Sequence, residues 1–409
     1  MRKISVLLCL SLVLASGLWA AGTAEDSGTV TIEFFQQKRE VVDLFDELIA
    51  DFEAKNPGIK VEQVHVADSG QVLMSRLASN DVPDLLTHWP NNTDYITASL
   101  EGYFLDLTDS PVADNAIQNI IESITLENGK NYCVPVSINT QGIFYNKALF
   151  DEYNLEIPTT WDEFVALCQK IKAMGKLPLI FPDGTAWTLS QQLRMLLALD
   201  LDGYSLIRDV KAGKADARNN QDLRAMAEKL LFLRQFGQKN SLGTSYEQAT
   251  FEFATGKSFM FWQGIWAIPS INKANPDLSY SMFPLPAKAG RETRVEYGVD
   301  LGLVIGNKKD AAKVEAAKKF VSFITSTEVA QRYADVDGSP SAIQGVKFNS
   351  DISAPLVDMV QQSKSFRNIR YLYAPGGNGR ADTGTQQLIL DGDVDEFLAE
   401  LNYIFGRPE

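Results

Sequence analysis

Two tryptophans, Trp262 and Trp266, stand four residues apart and are separated by Gln263 and Gly264. An indole presents a broad apolar face, and a neighbouring amide can both donate and accept hydrogen bonds. Together these groups suit a neutral, polyhydroxylated ligand whose C–H faces lie flat on the rings. The alternative is that both indoles only fill a hydrophobic core, which is the commoner role of a single tryptophan at helical spacing.

Other tryptophans in polar surroundings favour the binding interpretation. Trp89 follows an apolar run and lies in the polar segment 87–92, and Trp187 ends a predicted loop at 182–187. A sugar ring stacked on an indole buries about 100 Å² of apolar surface, which at about 25 cal/mol per Å² contributes about 2.5 kcal/mol. Two such contacts give about 5 kcal/mol, whereas micromolar affinity needs about 8 kcal/mol. Amide and charged side chains must therefore supply the rest and offset the ordering cost.

The hydrophobic pattern places these residues near the ends of strands. The first part of the chain predicts strands at 29–35, 59–66 and 83–87, with helices at 41–52 and 72–77 between them. Strands that alternate with helices predict parallel pairing through right-handed crossovers. In such sheets, ligands bind where the carboxyl ends of strands meet the starts of helices.

The pattern restarts after residue 130. Strands are predicted at 132–136, 142–145, 258–262 and 299–305, and helices at 160–173, 189–199, 223–236, 265–271, 310–324 and 388–401, the last with a break at 391–393. A capping box at Thr160 and Glu163 opens the first of these helices, and Pro269 stands in the first turn of the fourth. The glycine-rich segment 376–380 lacks the GxxxxGK pattern of a phosphate cradle, so it predicts a flexible loop.

Length and composition limit the possible functions. The chain has 409 residues, more than one core usually serves, so two lobes are expected. Its formal charge of −14 disfavours nucleic acid as a partner. His65 and His88 are the only histidines, and neither HxxxH nor CxxC spacing occurs, so no metal site, cofactor or catalytic residue is predicted.

The first 22 residues have the pattern of a secretory signal. Arg2 and Lys3 precede an apolar run at 4–18, and small residues follow at 20–22. The run is shorter than the roughly 20 apolar residues that a membrane span needs, so a free periplasmic protein is expected. Beyond the signal, Cys133 and Cys168 could form one disulfide, but their strand-like and helical surroundings favour two separate buried thiols.

Several longer blocks carry a resemblance to a known family. They are 52–62 (FEAKNPGIKVE), 80–87 (NDVPDLLT), 129–164, 253–268 and 326–342. On these blocks the sequence resembles the extracellular solute-binding proteins of ABC transporters, in the maltose-binding-like cluster with multiple-sugar and raffinose-type receptors. The resemblance implies the α/β type II periplasmic binding protein fold, in which two α/β lobes flank a cleft and crossing hinge segments join them. It implies an N-terminal lobe of 23–138 plus 301–338, a C-terminal lobe of 139–300 plus 339–409, and crossings near 137–141, 299–302 and 337–341.

The resemblance also implies which loops face the cleft. The ligand-binding residues would be Gln37, Lys38, His88, Trp89, Asn91, Asn139, Trp187, Trp262, Gln263, Trp266, Tyr297 and Asp300. The four tryptophans would be stacking platforms, and Gln37, Lys38, Asn91, Asn139, Gln263 and Asp300 would be partners of sugar hydroxyls. For Lys38, next to Arg39 and Glu40, the sequence favours a solvated charge over ligand contact. For Asp300 the alternative is a solvated carboxylate at a strand end.

The function that the resemblance implies is not enzymatic. The protein would be the periplasmic, monomeric component of an ABC sugar importer that captures an oligosaccharide, such as an α-galactoside or a related di- or trisaccharide, and delivers it to inner-membrane permease subunits. A polyamine-binding protein of the same fold is one alternative, since tryptophans and Asp300 would suit an amine. A secreted glycoside hydrolase is another, and it would need two carboxylates about 5 to 10 Å apart.

Overall fold

The computed structural model describes residues 28–408, so the predicted signal at 1–22 lies outside the described residues. The strands are β1 (Val30–Phe35), β2 (Ile59–Val64), β3 (Leu85–His88), β4 (Val134–Asn146), β5 (Leu177–Ile180), β6 (Ser258–Gly264), β7 (Tyr280–Phe283), β8 (Val295–Ile305) and β9 (Ser365–Arg367). The α-helices are α1 (Val42–Lys55), α2 (Ser69–Ala78), α3 (Thr93–Leu100), α4 (Gln118–Ile124), α5 (Lys147–Glu152), α6 (Trp161–Ala173), α7 (Ala186–Leu199), α8 (Gly203–Lys211), α9 (Gln221–Arg234), α10 (Tyr246–Ala254), α11 (Ile268–Ala274), α12 (Ala311–Ile324), α13 (Thr327–Asp337), α14 (Ala354–Gln361), α15 (Gly377–Asp391) and α16 (Val394–Phe405).

The strands follow the order β2-β1-β3-β8-β4-β6-β5, with β7 also paired to β4 and β9 to β8. β1 pairs in parallel with β2 and with β3, which confirms the predicted crossovers in the first part of the chain. The long strands β4 and β8 pair antiparallel to each other. At its carboxyl end β4 also pairs with β6 and β7, whereas β8 pairs with β9 at its amino end and with β3 at its carboxyl end, so together they connect the two parts of the sheet.

Each part of the sheet is covered by helices on both faces. Around β1, β2 and β3, residues of α1 and α12 form the core on one face, and residues of α2 and α3 form it on the other. Around β5, β6 and β7, residues of α6, α7, α9, α15 and α16 cover one face, and residues of α10, α11 and α14 cover the other. We call these two parts the N-terminal lobe and the C-terminal lobe. Two α/β lobes joined by crossing strands confirm the predicted fold class.

Three predicted crossing segments lie side by side between the lobes. The Ile138 amide donates to the Pro340 carbonyl at 2.8 Å, and the Ala342 amide donates to the Val136 carbonyl at 2.8 Å. On its other edge, the same part of β4 pairs with β8, and the register shifts around Ser137. Such irregular pairing bends strands locally, which suits a junction between two bodies.

Most predicted elements are confirmed, but not all. The strands predicted at 132–136 and 142–145 are one strand, β4, because the polar residues between them stay extended in pairing with β8. The segment 376–380 is not a loop but the start of α15, where a Cβ on Gly377 would lie 2.7 Å from the Ile404 carbonyl oxygen. Glycine there allows α15 to pack tightly against α16.

The start of α6 and the two cysteines agree with their predictions. The capping box of Thr160 and Glu163 is present at the start of α6, and Cys133 and Cys168 are both buried and free, as expected. None of the helices within residues 28–408 has the length and apolar character needed to cross a bilayer.

Candidate ligand-binding site between the lobes

The junction after β6 brings Trp266 back over its own strand. All residues of β6 are buried, a short 3-10 helix follows at Ile265–Ala267, and Pro269 stands in the first turn of α11, as predicted. A Cβ on Gly264 would lie 1.9 Å from Cζ3 of Trp266, so the ring rests directly on the glycine backbone. The Trp266 side chain is 6% exposed, and within the described residues its indole N–H has no hydrogen-bond partner.

Trp266 belongs to an aromatic cluster that also contains Trp187 and Tyr246. The Trp187 ring lies 6.4 Å from Trp266 and 5.0 Å from Tyr246, measured between centroids. Trp187 is half-buried and is the second residue of α7 rather than part of a loop, because α7 begins at Ala186. Burial, followed by the neighbouring charge of Glu40, raises the pKa of Tyr246 well above its usual range. Since Glu40 belongs to the N-terminal lobe, the cluster lies where the lobes meet.

Trp262 and Gln263 point to opposite faces of β6. Trp262 is 2% exposed and packs into the core of the C-terminal lobe with Ile143 and Phe283, which favours the packing alternative for its ring. Its indole N–H nevertheless has no partner among the described residues. Gln263 is fully buried, and neither its amide nitrogen nor its amide oxygen has a described partner. Buried amides are normally hydrogen-bonded, so Gln263 has unused capacity for a ligand or water.

Lys38 is at the centre of a buried ionic network. Its ammonium contacts the carboxylate of Asp300, lies 2.5 Å from Asp337 Oδ1, and donates to the Tyr333 hydroxyl at 3.1 Å. Lys38 and Asp300 are each 3% exposed, so the solvated alternatives for both are wrong. Burial alone would lower the pKa of Lys38, but Asp300 and Asp337 raise it well above its usual range. The network joins the loop after β1 to β8 and to the end of α13.

Asn139 and Gln37 are held beside this network. The Asn139 amide donates to Asp300 Oδ1 at 2.9 Å, and Asn139 is half-buried. The Gln37 backbone N–H donates to Thr87 Oγ1 at 2.7 Å, and its side-chain amide donates to the Thr87 carbonyl. The Gln37 side-chain oxygen is buried and has no described partner. Gln37 is therefore positioned by β3 and retains a free acceptor.

The loop after β3 contains His88 and Trp89. The His88 ring packs 5.4 Å from Tyr95 and 6.4 Å from Phe104, inside the N-terminal lobe. Its Nδ1 accepts a hydrogen bond from the Trp89 backbone N–H at 2.8 Å. Burial, with the positive charge of Arg370 adding to it, lowers the pKa of His88 to about 3. His88 is thus a neutral packing residue at physiological pH, whereas Trp89 is half-buried beside it.

At one edge of the contact between the lobes, which we call a rim, side-chain amides of the loop after β3 bond to the C-terminal lobe. Asn91 Oδ1 accepts from Arg367 Nη2 at 3.0 Å and from Nε at 3.2 Å. Asn92 Oδ1 accepts from the Asn378 side chain at 2.7 Å. Tyr297, on β8, is half-buried and its carbonyl accepts from the Asn368 N–H at 3.0 Å. Asn91 thus takes part in a contact between the lobes, whereas this Tyr297 contact lies within the C-terminal lobe.

The opposite rim is ionic. Arg39 pairs with Glu247 at the start of α10, and Lys273 on α11 lies 2.5 Å from Asp43 on α1. All four side chains are at least about one-third exposed, so each pair contributes little by itself. Both rims are closed by direct contacts between the lobes.

Sequence reasoning missed a polar face on α7. One side of this otherwise largely apolar helix has residues at helical spacing that can contact a polar ligand: Trp187, Ser190, Gln191 and Arg194. Arg194 Nε donates to Glu296 Oε1 at 2.8 Å, and both side chains are less than 5% exposed. The spacing of these residues was the signal that could have identified this face. Glu296, the partner of Arg194, is 102 residues away and could not be predicted.

The site offers aromatic surfaces and unpartnered polar atoms rather than reactive groups. Within residues 28–408, no group of three or more His, Cys, Asp or Glu side chains could hold a metal ion. Two carboxylates at the junction, those of Asp300 and Glu296, are ion-paired. Such an arrangement is suited to noncovalent binding of a neutral molecule.

Comparisons with known proteins agree with this geometry. The family model for bacterial extracellular solute-binding proteins matches residues 38–331. The multiple sugar-binding protein of Streptococcus mutans is 36% identical over 343 residues, which cover 82% of this chain and 80% of that protein. The structure of RafE in complex with raffinose is 31% identical and has a TM-score of 0.81, covering 92% of this chain and 99% of that one. The apo form of RafE from Streptococcus pneumoniae, also 31% identical, has a TM-score of 0.70 and covers 93% and 98%. The chain belongs to the family of bacterial extracellular solute-binding proteins.

Proposed function

We propose that this protein captures an oligosaccharide in the cleft between its lobes and delivers it to the permease subunits of an ABC importer. The proposed ligand is an α-galactoside such as raffinose or melibiose, or a related di- or trisaccharide. Relatives named for multiple sugars and for raffinose, at 36% and 31% identity, support this class. We propose a monomer in the periplasm, with the lobes formed by 23–138 plus 301–338 and by 139–300 plus 339–409.

The observation that carries the proposal is the aromatic cluster at the lobe junction. Trp187, Tyr246 and Trp266 lie together there, and Trp266 rests on Gly264. Buried polar atoms without described partners accompany them, including the Trp266 indole N–H and the Gln263 amide. Apolar faces combined with donors and acceptors match the two kinds of surface that a sugar presents. Trp187, Trp266 and Trp89 would be the stacking platforms.

The lobes are best understood as closed. The chain has a higher TM-score to the raffinose complex of RafE than to the apo form, 0.81 against 0.70. Direct hydrogen bonds and ion pairs join the lobes at both rims of the junction. A sugar that contacts both lobes binds the closed state more tightly, so it shifts the equilibrium toward closure. The closed form would then dock on the permease.

The remaining predicted residues have different roles in this proposal. Gln37, Asn91, Asn139 and Gln263 are near the junction and could pair with sugar hydroxyls. Lys38 and Asp300 are paired with each other, so they would act by holding the loop after β1 against the crossing strands. His88 would support Trp89 through its Nδ1 acceptor.

The alternative functions have less support. A polyamine would need a free carboxylate, but Asp300, the residue expected to supply it, is ion-paired with Lys38. A positive side chain, Arg370, also lies at the junction, which disfavours a cationic ligand. We further propose that the protein does not change its ligand, which can be checked by recovering the sugar intact after long incubation.

Titration calorimetry on the mature protein tests the proposal. The ligands are raffinose, melibiose, isomaltose, maltose, xylo-oligosaccharides and spermidine. We expect one-site binding of at least one α-galactoside at micromolar or lower dissociation constant. Spermidine binding without heat from any sugar would favour the polyamine alternative and contradict the proposal.

A further inference from the structure

Four charged side chains of the C-terminal lobe meet beside the lobe junction. They are Arg194 on α7, Glu296 on β8, Arg370 in the 3-10 helix Ile369–Leu372, and Asp382 on α15. Glu296 receives hydrogen bonds from Arg194 and from the Gln141 side chain. Asp382 accepts a hydrogen bond from the Ser190 hydroxyl. Arg194, Glu296 and Asp382 therefore each have a protein partner.

Arg370 differs from its neighbours because its guanidinium is unpartnered. Within residues 28–408, its side chain makes no hydrogen bond and no ion pair, and its Nε is buried without an acceptor. The Arg370 residue is half-buried, and it is the Nε–H that is left unpaired in a buried place, which is unfavourable. Burial, reinforced by the charge of Arg194, lowers the pKa of Arg370 to about 10, so it remains charged at neutral pH. Such a group is suited to oxygen acceptors that come from outside the chain.

The position of Arg370 is fixed from both lobes. Its backbone carbonyl accepts a hydrogen bond from the Thr93 hydroxyl of the N-terminal lobe at 3.0 Å. Its backbone N–H donates to Asn368 Oδ1 at 3.0 Å, which caps the 3-10 helix. Its charge acts on His88 and Asp94 in the N-terminal lobe as well as on Asp382 in the C-terminal lobe. Arg370 therefore lies at the contact between the lobes.

The surrounding charges indicate a neutral ligand. Arg194 and Arg370 are positive, while the carboxyl groups of Glu296, Asp382 and Asp94 act on the same region. Arg367, which bonds to Asn91 at the same junction, adds a third positive charge, so three arginines face three carboxyl groups and the region has no excess charge that would attract an ion. A planar guanidinium can donate two parallel N–H bonds, which matches two oxygens on adjacent carbons. A carboxylate nearby can accept from a hydroxyl.

We propose that Arg370 is a specificity-determining residue of the sugar site, where its guanidinium donates to two adjacent hydroxyl oxygens of a neutral sugar ring and Asp382 accepts from a hydroxyl of the same ligand. The inference rests on the proposed sugar-binding function and adds the group that recognises the arrangement of hydroxyls. Lysine at this position keeps the charge but loses the two-pronged geometry. Glutamine loses the charge as well.

Calorimetry on Arg370→Lys and Arg370→Gln tests this assignment. The probes are raffinose, melibiose, isomaltose and maltose, and thermal unfolding checks that each variant is folded. We expect both variants to bind the preferred sugar about tenfold or more weakly, and the affinity ratios among the four sugars to become more equal. Arg380→Lys is the matched control, because Arg380 is partly exposed and pairs with Glu400 away from the junction.

The outcomes separate this inference from the function on which it rests. If the wild-type protein binds none of the sugars, the proposed function fails. If the wild type binds but both Arg370 variants keep its affinity and its order of preference, only the role of Arg370 is overturned. If the affinities for all four sugars fall by the same factor, Arg370 stabilises the closed state without distinguishing the arrangement of hydroxyls. That result also contradicts the assignment. Tighter binding of an oligogalacturonate than of any neutral sugar would overturn the neutral ligand class.

Discussion

Replacing Gly264 by alanine should displace the Trp266 ring. Gly264 has φ −92° and ψ 170°, which alanine adopts without strain, so the effect is purely one of space. The new Cβ would lie 1.9 Å from Cζ3, 2.2 Å from Cη2 and 2.3 Å from Cε3 of Trp266. Carbon atoms in contact prefer at least about 3.5 Å, so the ring must move by about 1.6 Å, the difference between 3.5 and 1.9.

Two magnitudes follow from this displacement. Overpacking of this kind costs about 1 to 3 kcal/mol of folding free energy. Loss of one stacked ring removes about 2.5 kcal/mol of binding free energy, which is about 70-fold in dissociation constant. The binding effect should therefore be large enough to measure even if the ring is only partly displaced.

Calorimetry with raffinose and urea unfolding would measure both effects on Gly264→Ala. Gly379→Ala is the matched control, since a Cβ at Gly379 meets nothing within 4 Å and the position lies in α15. We expect the control to bind as the wild type does and to be equally stable or more stable by up to about 1 kcal/mol, because alanine favours a helix over glycine. If Gly264→Ala fails to fold, Trp266→Phe replaces it, because phenylalanine shrinks the ring without a clash, and it should weaken binding without preventing folding.

The reasoning is refuted if Gly264→Ala binds raffinose within about twofold of the wild type while the wild type itself binds tightly. That result would mean that the ring does not depend on contact with the glycine backbone, or that Trp266 only fills core. A loss of stability with unchanged affinity would assign Trp266 to packing.

Three other predictions follow from buried or bridging charges. Lys38→Met should lower the free energy of unfolding, measured in urea, by about 3 to 5 kcal/mol. The reason is that the substitution leaves Asp300 and Asp337 buried without their cation. A loss under about 1 kcal/mol would contradict the network. The pKa of His88 is lowered from 6.5 to about 3, so between these pH values the unfolded state binds more protons than the folded state. The free energy of unfolding therefore decreases as the pH is lowered through this range. The wild type should lose about 2 kcal/mol more than His88→Asn between pH 7 and pH 5, and equal losses would refute this. Arg39→Gln should weaken sugar binding by no more than about fivefold, since the Arg39–Glu247 pair is partly exposed. The substitution should also make the affinity less sensitive to salt. Unchanged salt dependence would show that the pair does not contribute to closure.

Local patterns in the sequence were sufficient for most of the elements. Helical spacing of apolar residues located α1, α9 and α12, and the capping box of Thr160 and Glu163 marked where α6 begins. The aromatic residues after β6 were also recognisable, because a buried strand followed by glycine and an early proline has few other interpretations. The fold class followed from these elements together with the family blocks.

Long-range pairing explains what the sequence could not predict. Lys38 looked solvated because its neighbours are Arg39 and Glu40, but its partners Asp300 and Asp337 are 262 and 299 residues away. The polar residues 137–141 looked like a break between two strands, yet pairing with β8 keeps them in β4. Arg370 carried no local signal at all, since its importance comes from being unpartnered at a contact between lobes.

A crystal structure of the protein with raffinose tests the central claim most directly. The account predicts raffinose between the lobes, with a sugar ring against Trp187 or Trp266 and hydroxyl oxygens within hydrogen-bond distance of the Arg370 guanidinium. Raffinose bound on an outer surface, with these side chains packed only against protein, would contradict it.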